Sequence, residues 1–191
     1  MRSTEPRKRR VAMIIIGYPV ALLIAAIAVN LVLIGVQPVV VALPSEGAVG
    51  ALAITFALLV ANHAWLMTST ELTRLRFDLS ATPEERAARG REGAVIPAHA
   101  SDELERRHNA HRNTTENVVC FLCPALLLAF VSPPAAVLYL WSIGFALARL
   151  GYTWSYLAGR TGARGLCMSL SLLTLFGVTS YLAMSSVLGL F

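Results

Sequence analysis

A charged residue lies inside an apolar segment of this sequence. Residues 141–157 otherwise have the composition of a membrane-spanning helix, and they contain Arg149. An ionised side chain in hydrocarbon costs about 2.5–3.5 kcal/mol on insertion scales unless it is paired or reaches the interface. Arg149, Tyr152 and Tyr156 are spaced i, i+3 and i+7, so a helix places them on one stripe. The sequence therefore predicts a polar partner for Arg149 on another helix.

A cation, an amide and a carboxylate lie close together at the start of the preceding apolar segment. Arg112, Asn113 and Glu116 are spaced i, i+1 and i+4, so a helix places them on adjoining faces. Glu116 is the natural counter-charge for Arg149. We therefore expect the two polar stripes to face each other.

The elements that carry these residues are long apolar blocks. The chain of 191 residues is 56% hydrophobic and 14% charged, with a mean hydropathy of +0.64, far from the average soluble domain. A helix of about 20 residues crosses the roughly 30 Å of hydrocarbon in a bilayer. The sequence therefore predicts an all-α integral membrane protein with five spans, at residues 11–36, 50–72, 118–131, 133–158 and 166–191.

Local signals predict where two of the helices begin. The third block is short and is extended backwards by the polar residues 102–117, with Ser101 as the N-cap. The fourth is predicted to begin at Ser132 and Pro133, because proline is favourable at the first helical position.

Basic residues occur only on alternate connections. They precede the first block, fill the long connection after the second and surround the turn before the fifth, whereas residues 37–49 and 132–134 have none. The positive-inside rule places the N-terminus and these connections in the cytoplasm and the C-terminus outside. We interpret the net charge of +5 as topological, in preference to binding of nucleic acid or anionic lipid. A cleaved signal sequence is the alternative for the first block, but the block is longer than usual for one.

Three cysteines and an adjacent pair of polar residues also lie inside the apolar blocks. Cys120 and Cys123 form a CxxC without a second pair, and Cys167 lies on another block, so all three are interpreted as packing residues. No metal site or disulfide framework is predicted. Asn62 and His63 lie midway along the second block and are expected to bond to another helix.

Residues 105–117, ERRHNAHRNTTEN, resemble the signature E-R-x-x-R-A-H-x-N-x-x-E-N of the MAPEG family, membrane-associated proteins in eicosanoid and glutathione metabolism. The resemblance continues through Arg149, Tyr152 and Tyr156 and covers about residue 50 to the C-terminus. It implies a four-helix protomer that forms a homotrimer. Glutathione would bind between protomers near the cytoplasmic face, and a lipophilic second substrate would arrive from the bilayer.

The resemblance also implies a role for each matching residue. Arg164 resembles the arginine that contacts the glutathione sulfur and favours the thiolate. Arg160 is the alternative, because the preceding segment is one residue shorter than in several relatives. Asn109 stands where relatives often have arginine, so that contact is expected to be weaker or to come from Arg106. The implied glutathione-binding residues are Arg74, Arg112, Asn113, Glu116, Tyr152 and Tyr156, and Arg149 is a structural charge.

The sequence divides into three predicted parts. Residues 1–10 are a basic cytoplasmic tail, residues 11–49 an additional transmembrane helix with its outer loop, and residues 50–191 a MAPEG-like four-helix domain. The implied function is a glutathione transferase that attacks lipophilic electrophiles, and peroxidase chemistry is also compatible. A non-catalytic lipid-binding or scaffold protein and a small transporter are the alternatives. The expected location is the plasma membrane of a bacterium or the endoplasmic reticulum of a eukaryote.

Overall fold

The regular structure of the chain is helical. A computed structural model describes residues 5–91 and 95–190, and within these ranges it contains no strand. Two π-helical segments, Val29–Ile34 and Tyr139–Ile143, follow α1 and α5 directly. The α-helices of the described ranges are α1 (Glu5–Ala28), α2 (Glu46–Phe77), α3 (Pro83–Ala88), α4 (Ala98–Phe130), α5 (Ala135–Leu138), α6 (Gly144–Leu157) and α7 (Thr161–Leu188).

Among the described residues, five helical units are long and apolar enough to cross a membrane, which confirms the predicted fold class. Four of the five units begin before their predicted blocks, because apolar composition marks only the part of a helix that lies in hydrocarbon, and one of them, Glu46–Phe77, also ends beyond its block. The predicted end at Phe191 lies outside the described residues. The units are Arg7–Ile34, Glu46–Phe77, Ala98–Phe130, Ala135–Leu157 and Thr161–Leu188.

Two predicted helix starts are wrong. Helix α4 begins at Ala98 and not at Ser101, whose backbone N–H already bonds to the carbonyl of Pro97. The fourth span begins at Ala135, after Pro134, and not at Pro133. In both places the residue just before the helix is a proline with its φ angle near −55°. The fixed φ of proline therefore marks both starts, and no side chain caps either helix.

The core lies between α2, α4, α6 and α7. Phe121 of α4 stacks on Phe145 of α6 with 4.0 Å between ring centroids. Helices α6 and α7 approach closely at Gly151, where an added Cβ would lie 2.8 Å from the sulfur of Cys167. Cys167 is therefore a packing residue. This core sets the rotation of α4 and α6 about their axes.

Helix α1 packs mainly against α7, and the π-helical segment Val29–Ile34 that continues it is held by a buried polar contact. Asn30, which is fully buried, donates from Nδ2 to the Gly177 carbonyl at 2.9 Å and to Ser180 Oγ at 3.0 Å. Its Oδ1 accepts from Trp141 Nε1 at 2.9 Å. Every polar atom of the amide thus has a protein partner, as a span in hydrocarbon requires.

Residues 35–45, which we call the strap, cross the end of the bundle between α1 and α2. The backbone N–H of Val39 donates to the carbonyl of Ser185, and Ser185 Oγ donates to the carbonyl of Gln37 at 2.7 Å. The N–H of Ala42 donates to the carbonyl of Phe130. The strap therefore ties the C-terminal ends of α4 and α7 together.

The connection from α2 to α4 is organised by Asp78. Asp78 ends α2 in a left-handed conformation, with φ of 53°. Its carboxylate pairs with Arg91 and, at 3.3 Å, with Arg89. The hydrogen bond from the Arg91 guanidinium lowers the pKa of Asp78 below its ordinary value. The basic connection is thus folded back onto the end of α2.

Candidate functional site

Arg149 of α6 is fully buried and reaches α4. Its Nη2 donates to Asn113 Oδ1 at 3.0 Å and to Thr114 Oγ1 at 2.8 Å. The predicted contact between the two polar stripes is confirmed, but the predicted partner is wrong. Within the described ranges no ion pair joins Arg149 to Glu116. The packing of α4 turns Asn113 and Thr114 towards α6 and leaves Glu116 exposed.

A row of two tyrosine rings between two guanidinium groups leads away from the Asn113 contact of Arg149. The Arg149 guanidinium lies 4.2 Å from the ring centroid of Tyr152, whose ring is 5.5 Å from that of Tyr156. The guanidinium of Arg164 lies 4.9 Å from the Tyr156 ring. Cation–π contacts of this kind are favourable, and more so away from water. The structure thus brings four sequence-predicted residues into one row.

The row ends at a cavity of about 260 Å³, which we call the arginine cavity. Tyr156 and Arg164 form one wall. Arg164 lies in the first turn of α7, where the unpaired backbone N–H groups add positive potential. Arg160 does not line the cavity, and its guanidinium stacks on Trp154 at 4.9 Å. The other wall is formed by α4, through Asp102, Glu105, Arg106 and Asn109.

Arg112 and Glu116 line a second cavity of about 370 Å³. We call it the histidine cavity, and its remaining walls are His108, His111 and Thr115. Arg112 also donates to Asn109 Oδ1 at 2.7 Å, so it joins the edges of the two cavities.

Arg74 of α2 does not line the arginine cavity of its own protomer. It pairs with Glu71, and its Nη2 lies 3.4 Å from Nε2 of His108. Arg74 therefore lies beside the histidine cavity, where His108 forms a wall.

The pairing of two histidines was missed from the sequence. Nε2 of His111 on α4 lies 3.2 Å from Nδ1 of His63 on α2. A histidine inside an apolar block was the available signal, but helical spacing could not identify a partner 48 positions away. His63 also borders a third cavity of about 420 Å³ between α2 and α4, which we call the apolar cavity. Its other walls are Phe56, Leu59, Val60, Thr114, Thr115, Val118, Val119 and Leu122.

The expected bond from Asn62 to another helix is not found. Asn62 is fully buried, and neither its Nδ2 nor its Oδ1 has a hydrogen-bond partner among the described residues. Only His63 of this adjacent pair contacts a polar group on another helix.

The comparison with known families covers most of the helical bundle. Residues 51–184, more than half of the chain, match the model of the MAPEG family. The matched region contains α4, α6, nearly all of α2 and α7, and every residue that lines the three cavities. No curated protein matches the sequence significantly. The chain is therefore a helical membrane protein that belongs to the MAPEG family.

Proposed function

We propose that this protein is a glutathione transferase that activates glutathione as the thiolate in the arginine cavity. The observation that carries the proposal is the row from Arg149 to Arg164, which ends in a cavity with a cation at its wall. Membership of the MAPEG family, whose members generally use glutathione, supports it.

The charges around the arginine cavity suit glutathione, which carries two carboxylates, an ammonium group and a thiol. Arg106 and Arg112 can bind the carboxylates, and Glu105 or Glu116 can bind the ammonium group. The volume of about 260 Å³ is slightly below the usual range of roughly 300–1,000 Å³ for ligand pockets. The tripeptide would therefore extend from the arginine cavity over Arg112 and Glu116.

Arg164 is the proposed residue at the sulfur. A guanidinium close to a thiol favours the charged thiolate, and the N-terminal end of α7 acts in the same direction. Arg160 is less suitable, because it does not line the arginine cavity. The thiol proton leaves to solvent, and the sulfur then forms a bond to an electrophilic carbon of a lipophilic substrate, which gives up a leaving group or the electron pair of a π bond. Tyr152 and Tyr156 would line the pocket beside the peptide.

A homotrimer is part of the proposal. Arg74 does not reach the arginine cavity of its own protomer, although the family resemblance implies that it contacts glutathione. A site between protomers would let Arg74 serve the neighbouring chain. The apolar substrate would enter from the bilayer, and glutathione from the side of the basic connections.

The proposal is tested by the ultraviolet absorbance of bound glutathione thiolate in detergent micelles. Arg164→Ala is expected to abolish the thiolate signal, and Arg160→Ala is the matched control that should retain it. An unchanged signal in Arg164→Ala would refute the role of this residue. If calorimetry detects no binding of glutathione to the unchanged protein, the function itself is wrong, and a lipid-binding role becomes the better explanation.

A further inference from the structure

The His63–His111 pair links two cavities of different polarity. His63 borders the apolar cavity, His111 borders the histidine cavity, and Thr115 belongs to both. The 3.2 Å contact between the two rings requires one nitrogen to donate and the other to accept. Ionisable residues at membrane depth often mark proton relays. The pair can therefore pass a proton from the polar cavity to the apolar one.

His63 is the single titratable residue among the described residues that line the apolar cavity. The charged or titratable groups near the pair on the polar side are His108, Arg112 and Glu116 of α4, with Arg74 of α2 beyond His108. A proton that enters through His111 thus comes from a cavity rich in such groups. A proton that leaves through His63 reaches a cavity with mainly apolar walls.

We propose that His63 is the proton donor to a lipophilic α,β-unsaturated ketone held in the apolar cavity, and that His111 resupplies the proton. The inference rests on the proposed function, because glutathione thiolate is the nucleophile. It adds a catalytic residue and a substrate class in which negative charge develops on oxygen.

The proposed reaction is balanced without an oxidant or a reductant. The thiolate sulfur forms a bond to the β-carbon, the C=C π bond breaks, and its electron pair moves to the carbonyl oxygen. His63 Nε2–H protonates that oxygen, and His63 Nδ1 takes a proton from His111 Nε2. His111 Nδ1 takes a proton from water in the histidine cavity, which replaces the proton that the thiol released. Both rings then return to their starting tautomers by proton exchange with water before the next cycle. The enol returns to the ketone in water.

The position of the two cavities around α4 indicates which protomer supplies the sulfur. At about 100° per residue, Glu105 and Asn109 in the arginine cavity lie on a different side of α4 from Val118 and Leu122 in the apolar cavity, about 100–180° away around the helix axis. A closed ring of identical chains joins two different faces of the protomer at each interface. The sulfur at Arg164 of one protomer would therefore meet His63 of the next.

The test compares two electrophiles with different needs for a proton. Addition to an unsaturated ketone requires protonation of oxygen, whereas a chlorinated dinitrobenzene releases chloride and requires none. His63→Ala and His63→Gln are expected to lower kcat for the ketone by about 100-fold, within the range for general acid catalysis. The dinitrobenzene reaction should fall much less, and the glutathione thiolate absorbance should remain. His99→Ala is the control, because His99 contacts Phe77 and lines none of the three cavities.

Equal losses with both electrophiles would overturn the proposal, because they would indicate a structural role for His63. An unchanged ketone reaction would overturn it as well. If the unchanged protein showed no thiolate absorbance, both this inference and the proposed function would be wrong.

Mixed trimers test the placement of the two residues on different chains. Co-expression of Arg164→Ala chains with His63→Ala chains gives one interface in each mixed trimer that has both native residues. Ketone addition should therefore be partly restored. If mixed trimers are as inactive as the separate variants, the two residues do not act across an interface.

Discussion

Trp141 donates its indole N–H to the side-chain oxygen of Asn30 at 2.9 Å, and both residues lie in π-helical segments. A π-helical turn contains more residues than an α-helical turn, so it shifts the side chains that follow. The contact between α1 and the family bundle therefore involves two local departures from α-helical geometry.

Leucine substitutions at two buried asparagines are predicted to change the free energy of unfolding in opposite directions. Asn30→Leu removes three hydrogen bonds, each worth about 0.6 kcal/mol in a membrane on average. The free energy of unfolding should fall by about 2 kcal/mol. Asn62→Leu should raise it by about 1 kcal/mol, because both amide atoms are buried without a partner in the described structure. Denaturant titrations in micelles measure both values, and shifts of the same sign would contradict this assignment.

Gly177 is predicted to tolerate no side chain. A Cβ at this position would lie 2.3 Å from the Trp141 ring. Gly177→Ala should therefore lower the free energy of unfolding by about 1–3 kcal/mol through overpacking. Gly17→Ala is the matched control, since nothing lies within 4 Å of its added Cβ. It should be neutral or stabilising, because alanine favours a helix. Similar melting temperatures for the two variants would disprove the close contact.

Glutathione binding is predicted to depend on the planar guanidinium group of Arg149 as well as on its charge. Lysine presents a compact ammonium group on a flexible stem, so it cannot both bond to Asn113 and Thr114 and stack on Tyr152. Arg149→Lys should weaken glutathione binding about tenfold, equivalent to about 1.4 kcal/mol, and Arg149→Leu should weaken it further. Calorimetry of glutathione binding checks this. Arg76→Lys, at an exposed site, should leave the affinity unchanged.

Asp78 is predicted to hold the basic connection in place only when it is ionised. Arg91 lowers the pKa of the Asp78 carboxyl in the folded protein. The stabilisation that the ion pair gives is therefore present above the ordinary carboxyl pKa, and it is lost as pH falls through the lowered pKa. At neutral pH, Asp78→Asn should increase hydrogen exchange in α3. The difference from the unchanged protein should disappear at acidic pH. An equal difference at every pH would indicate that the charge of Asp78 is not responsible.

Much of the fold and part of the candidate site could be predicted from the sequence. Five spans followed from composition, because hydrocarbon requires long apolar helices. Helical spacing predicted the row formed by Arg149, Tyr152 and Tyr156, since these residues share a stripe on one helix.

Relations between helices could not be predicted in the same way. The exposure of Glu116 depends on the rotation of α4, which packing such as Phe121 on Phe145 determines. The partners of Asn30 and His63 are far away in the chain, and no spacing rule connects them.

The buried contact of Asn30 also bears on how the chain could have evolved. Removal of the first span, Arg7–Ile34, would leave the indole N–H of Trp141 without its acceptor in hydrocarbon, and the separated span would carry the unpaired amide of Asn30 into lipid. If the strap were removed with this span, Ser185 would also lose its bonds to Gln37 and Val39. The additional helix and the family bundle are therefore mutually dependent. A neutral gain or loss of this helix would require accompanying substitutions on both sides of the contact.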